Sequence, residues 1–297
     1  MTLRDFALLV LMCLVWATNT IVSKIVIAHW GVPPLYYAGA RFAVVMLCTL
    51  PWLLPAPRPI WRMIIVCQLI GGANFALMFM ALKTASPSAA SIVIQLGVPM
   101  TTVLSMLMLG EQVRWRRGIG MALTLAGAVV VMWRPGGLSM SVGLWLVAGA
   151  ALAGSLGAVM MKQMEGVKPL QFQAWVGFTS AAPLLGVSLL TEQGQWAATL
   201  AAGWPFLAAV LYSAIVISVI AHTAYYGLIQ KYEATLISPL VLMTPLFTIV
   251  LGVLVTHDHF DGRMVIGATL ALLGVLIIAL RPNNVMPLLL LMRNRFL

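Results

Sequence analysis

Lys24 and Arg41 are the two basic side chains set inside long apolar stretches of this 297-residue chain, and no carboxylate lies inside any such stretch. The acidic residues are Asp5, Glu111, Glu165, Glu192, Glu233, Asp258 and Asp261, each at the end of a stretch or between two. Embedded cations can attract an anionic group. An embedded carboxylate, the usual proton carrier and the usual partner of a lipophilic cation, is what the pattern lacks.

Around those cations the polar residues fall into helical arcs. At 100° per residue Trp16, Asn19, Thr20 and Ser23 share one face, with Lys24 at its edge. The face reads as a cavity wall; Lys24 either draws an anion to it or snorkels to the interface. Arg41 follows Tyr37 by one turn and either binds substrate or pairs with carbonyls at a helix end. The amides of Gln68, Asn74 and Gln95 need partners, across a helix interface or in a wet cavity. Ser88, Ser91 and Gln95 share an arc, which suits either. His222 has Ser218, Tyr225 and Tyr226 on its face and either titrates near neutral pH or stays neutral and hydrogen-bonded. Phe75 and Phe79 share a face with Gly71 and Gly72, a stripe for helix packing or lipid from which Phe79 is kept as a wall candidate. Pro99 and Pro245 interrupt their stretches and kink them, as packing features or as hinges. The candidate substrate-binding set is therefore Trp16, Asn19, Lys24, Asn74, Phe79, Gln95, His222 and Tyr226, with Pro99 and Pro245 as hinges. His257 and His259 flank Asp258 in a turn, and Cys13, Cys48 and Cys67 lack metal-ligand spacing, so neither a metal nor a cofactor is expected.

The elements that must hold these residues are membrane spans. The chain is 62% hydrophobic and 8% charged, a ratio that leaves too few polar side chains to face water. Runs of about twenty apolar residues recur, the length that crosses a hydrocarbon core, and none alternates as a barrel strand would. The runs lie at 6–28, 35–54, 61–82, 89–109, 118–132, 142–161, 170–190, 204–229, 235–255 and 264–280. An all-α polytopic protein of ten transmembrane helices follows, with the first run retained rather than cleaved. Arg4, Arg58, Arg62, Arg114, Arg116, Arg117, Lys162, Lys168, Lys231, Arg281, Arg293 and Arg295 fall on one side of such a bundle. Only Lys83, Arg134 and Arg263 fall on the other. That bias places both termini in the cytoplasm and explains the net charge of +10 without nucleic acid.

The chain also repeats itself. Pro99 to Pro135 matches Pro245 to Pro282 with one inserted residue: Arg116, Gly120, Leu123, Leu125, Gly127, Arg134 and Pro135 face Arg263, Gly267, Leu270, Leu272, Gly274, Arg281 and Pro282. Glu111 falls opposite Asp258, and Asn74 opposite His222. Residues 1–135 and 136–282 are then two five-helix repeats, and 283–297 a basic cytoplasmic tail. Five spans each makes the repeats inverted, which places a binding site near the midplane between them.

These features together resemble the EamA-type family of the drug/metabolite transporter superfamily. The match runs through Trp16 to Asn19 with Lys24, Arg41-Phe42, Ser86 to Ser91 leading to Pro99, Glu111 beside a basic cluster, and Gly120 with Gly127. It resumes with Pro245, Asp258 where the family usually has Glu, and Gly267 with Gly274, covering residues 5 to 282. The resemblance implies ten helices in a five-plus-five inverted repeat and export of small metabolites or amino acids. Length and aromatic content are similar to the aromatic amino-acid exporters.

A bacterial inner-membrane transporter is therefore expected, handling a small-molecule substrate in the lipid bilayer as a monomer. No nucleophile, paired carboxylates or His/acid cluster sits at membrane depth, so an enzyme is not expected. No filter-like loop suggests a channel, and no Gly-rich loop a nucleotide site. Embedded cations without acids favour a substrate with a carboxylate or phosphate, and the aromatic content favours an apolar side chain beside it. An amino acid with an apolar or aromatic side chain fits. The alternatives are a drug, organic-anion or nucleotide-sugar carrier of the same superfamily, or a structural membrane protein. Facilitated diffusion is the expected mode.

Overall fold

The computed structural model describes residues 2–110, 115–133, 141–164, 166–232, 237 and 240–279. Among them every regular element is a helix. They are α1 (Leu3–His29), α2 (Pro34–Trp52), α3 (Ile60–Leu82), α4 (Pro87–Leu109), α5 (Trp115–Met132), α6 (Val142–Met161) and α7 (Pro169–Thr191). There follow the short α8 (Gln195–Ala202), then α9 (Trp204–Tyr225, continuing to Lys231), α10 (Met243–Val255) and α11 (Gly262–Ala279). Among the described residues nine helices are long and apolar enough to cross a membrane, and α10 is apolar but shorter. Within the ninth expected span, 235–255, α10 covers Met243–Val255, and the described residues 237, 240 and 241 before it are helical as well.

The connection after α7, which falls between the apolar runs at 170–190 and 204–229, holds α8. Two glycines in the left-handed region, Gly194 and Gly203, bracket that helix. The Gln195 amide fastens it by donating to the carbonyls of Ser188 (2.9 Å) and Glu192 (3.0 Å).

The carboxylates at span ends are helix anchors. First-turn N–H groups have no partner within their own helix and carry partial positive charge. Glu192 accepts the Leu35 and Tyr36 amides of α2, both at 3.0 Å. Asp258 accepts the Ser88 amide (2.9 Å) and hydroxyl (2.5 Å) at the start of α4, and Asp261 the Met264 amide of α11 (2.8 Å).

Small residues set the closest packing, since helices in lipid associate by backbone approach rather than by hydrophobic burial. A Cβ on Gly127 of α5 would lie 2.5 Å from the Gly267 carbonyl oxygen of α11; one on Gly274 would lie 2.5 Å from that of Gly120. Partners rise in number along α5 as they fall along α11, so the two helices are antiparallel. So are α2 and α7, where Gly39 meets Leu185 and Gly177 meets Met46. Helices α3 and α4 pack on α6, and α9 and α10 pack on α1. Exchanging each span for the one five places along leaves these neighbours unchanged.

The two prolines act alike. Proline lacks the N–H that the carbonyl four residues earlier would accept, here Gln95 and Val241, and its ring crowds that carbonyl. In α4 the turn at Ile94–Leu96 tightens and a new α-helical segment starts at Gly97, two residues before Pro99. In the second half α10 starts at Met243, two residues before Pro245. In both, the threonine three residues on donates to the carbonyl just before the proline: Thr102 to Val98 and Thr248 to Thr244, each at 2.9 Å.

Candidate functional site

A cavity of about 620 Å³ lies among α1, α4, α9, α10 and α11. It runs from Thr20 and from Ser91, one turn inside α4, to Arg117 and Lys162 at the opposite helix ends. Its volume suits a small-molecule ligand. The wall carries an amide (Gln95), two aromatic rings (Trp16 and Tyr225) and a run of hydroxyls: Thr20, Ser91, Thr101, Thr102, Ser105, Thr244 and Thr248. Ile94, Val98, Leu242, Val275 and Ile278 supply the apolar surface, and no acidic side chain is among the described lining residues.

The end of the bundle away from Arg117 is closed by polar contacts. Asp258 joins the loop after α10 to α4 through Ser88, and accepts the Thr256 hydroxyl at 2.8 Å. Lys24 spends two donors on the carbonyls of Leu82 (2.8 Å), the last residue of α3, and Ala85 (2.9 Å), in the turn that follows it. That lysine caps a helix; it is not among the residues lining the cavity.

The structure distributes the remaining candidates over several environments. Trp16 and Gln95 lie on the cavity wall, and Pro245 lines it too, whereas Pro99 is buried in packing. Trp16 keeps its indole N–H without a hydrogen-bond partner, meets the His222 ring at 5.3 Å with the planes tilted by 47°, and meets Tyr225 edge-on at 5.1 Å. His222 therefore stands behind Trp16, with Nδ1 at 2.7 Å from the Ile217 carbonyl oxygen. Asn74 lines a second space of about 420 Å³ on another side of α4, with Gly97, Thr101, Thr102 and Ser155, and donates to the Ala150 carbonyl at 2.6 Å. Asn19 accepts the Ser213 hydroxyl at 2.9 Å. Phe79 is buried and stacks on Tyr37 with ring centroids 5.1 Å apart. The side chain of Tyr226 lies outside the described residues, as do Glu111 and the tail 283–297.

Sequence reasoning missed most of the hydroxyl wall. The available signal was positional: Thr102 and Thr248 each follow a repeat-matched proline by three residues.

Two stretches of the chain, 5–133 and 141–280, match the EamA-like transporter family. This chain belongs to that family. It is a multi-pass membrane protein of a transporter family. Among EamA-like relatives, a probable amino-acid metabolite efflux pump of Salmonella typhimurium is 25% identical over 287 residues, covering 93% of this chain and 95% of the relative. A protein of the same description from Escherichia coli K12 is 23% identical over 286 residues, with the same coverage. A solved crystal structure superposes with a TM-score of 0.65 at 22% identity, over 93% of this chain and 96% of that one, and shares the fold.

Proposed function

We propose that this EamA-like transporter exports amino acids with apolar or aromatic side chains, by alternating access between two inverted five-helix repeats, residues 1–135 and 136–282. The observation that carries the reading is the wall of the 620 Å³ cavity: hydroxyls, one amide and aromatic rings, with no carboxylate among its described residues. Such a wall offers hydrogen bonds to both ends of a zwitterion and an apolar surface to its side chain. The names of the relatives support amino acids as the substrate class.

The inverted arrangement is supported by the antiparallel α2–α7 and α5–α11 pairs and by the neighbours that survive the five-span exchange. With both termini cytoplasmic in a bacterial inner membrane, the cavity faces the cytoplasm and Asp258 closes the far side. Substrate would then leave when the Ser88–Asp258 contact parts and α4 and α10 swing about Pro99 and Pro245. Transport runs down the substrate's own gradient, because no embedded acid is available to carry a proton.

The test is counterflow in proteoliposomes over a panel of amino acids, with an organic phosphate and a nucleotide sugar for comparison. Exchange of apolar and aromatic amino acids is expected. Exchange of the phosphate compounds alone would refute the substrate class. Uphill movement under a pH gradient, abolished by His222→Gln, would refute uncoupled transport.

A further inference from the structure

Arg41 is buried to 0% exposure, and no carboxylate among the described residues is hydrogen-bonded or ion-paired to it. Its Nε and Nη2 both donate to one hydroxyl, that of Ser218, at 3.3 and 2.9 Å. Nη1 has no partner. The charge is faced instead by aromatic rings, Phe75 at 4.3 Å and Phe42 at 5.6 Å from the guanidinium carbon. Rings offset part of the cost of burying a cation, but a guanidinium is fully satisfied only by acceptors placed to meet its fork of N–H groups.

The neighbouring groups are also donors in excess. Tyr37, one turn before Arg41, is fully buried, and its hydroxyl sits beside Ser23 and Ser213 without a well-formed hydrogen bond. The Ser23 hydroxyl is likewise buried and unpartnered. Ser213 has already given its proton to Asn19, and Ser218 donates to the Ser213 carbonyl at 3.3 Å. One small region between α1, α2 and α9 thus holds a permanent positive charge and, with the Tyr37 and Ser23 hydroxyls and Arg41 Nη1, three donor groups without a partner, and no carboxylate among the described residues meets them. Leaving buried polar groups unmet costs about 1–3 kcal/mol each and more for a charged one. Such a set is complementary to a ligand that brings acceptors and a negative charge.

The region is separated from the cavity by one helix. Helix α1 turns Trp16 and Thr20 to the cavity and Asn19 and Ser23 to Arg41, while Ser218 lies one turn before His222, the ring behind Trp16. We propose that Arg41, with Tyr37 and Ser23, is the receptor for the substrate's carboxylate, reached when α1 shifts and parts the Trp16–His222 layer. The carboxylate meets the guanidinium in a bidentate pair. This inference rests on the amino-acid reading above and names the group that recognises one end of the substrate.

The experiment compares an amino acid with its primary amide, which keeps the side chain and ammonium and loses the charge, in proteoliposomes of full-length protein. Wild type is expected to prefer the acid. In Arg41→Gln the KM for the acid should rise about tenfold to a hundredfold, with the KM for the amide little changed. Tyr37→Phe removes one donor and leaves the charge, and should weaken the acid alone by about threefold to tenfold. It stands as the test if Arg41→Gln does not fold. A folded Arg41→Gln that keeps the wild-type preference, or a Tyr37→Phe that changes the KM for acid and amide by the same factor, overturns the assignment and leaves amino-acid transport standing. A wild type that moves amides and not acids overturns the substrate class itself.

Discussion

Alanine substitution at two glycines should shift stability in opposite directions. At Gly127 the added Cβ would sit 2.5 Å from both the Gly267 carbonyl oxygen and the Ala271 nitrogen of α11, and 2.9 Å from the Ala271 Cα. All three are backbone atoms, which no rotamer change can move aside. Ordinary contacts begin near 3.4 Å, so α5 and α11 must part by about 1 Å. A gap of that size forfeits a quarter to a half of the dispersion energy at each contact it opens. The cost falls in the overpacking range, about 1–3 kcal/mol. Gly186, inside α7, has nothing within 4 Å of the same atom, and Ala there should stabilise by about 0.5–1 kcal/mol through helix propensity alone. Thermal unfolding of both variants in detergent, followed by tryptophan fluorescence, should place Gly127→Ala several degrees below wild type and Gly186→Ala at or above it. Equal shifts for the two variants would refute the close approach of α5 and α11.

Gln95→Leu should raise the substrate KM about tenfold with little change in melting temperature. Asn74→Leu, which breaks the bond to the Ala150 carbonyl, should lower the melting temperature and leave KM nearly unchanged. Loss of the Asp258 acceptors in Asp258→Ala should cost about 1.5–3 kcal/mol. It should also increase labelling of a cysteine at Thr20 by an impermeant reagent added outside cells. Lys231 is held above its ordinary value of 10.5 chiefly by its hydrogen bond to Asp5. A raised lysine stabilises fully below 10.5 and loses its contribution as pH rises through the shifted value. The melting-temperature gap between wild type and Lys231→Met should therefore persist to pH 10 and close above it. A gap independent of pH would show that the ion pair contributes nothing.

The membrane fold was legible because it depends on local properties. Each apolar run must satisfy its own backbone within one helix, so length and hydropathy suffice to find it. The glycine pairs were legible too: Gly120 with Gly127 and Gly267 with Gly274 stood out as a repeat before any contact was known. The short helix at Gln195–Ala202 was not, because a one-sided eight-residue segment between two glycines carries little periodicity.

The arc of Trp16, Asn19, Thr20 and Ser23 marks where sequence stopped. Sequence alone determined that α1 has a polar face and that its polar groups need partners. Periodicity fixes angles about one helix axis but not which neighbour stands at each angle. Tertiary packing split the arc, turning Trp16 and Thr20 to the cavity and Asn19 and Ser23 toward Arg41. The same limit separates Lys24 from Arg41, two lone cations alike in sequence. One has helix-end carbonyls within reach and is satisfied; the other faces aromatic rings and a single hydroxyl. Which of the two keeps unmet donors was decided only when α3 and α9 closed around them.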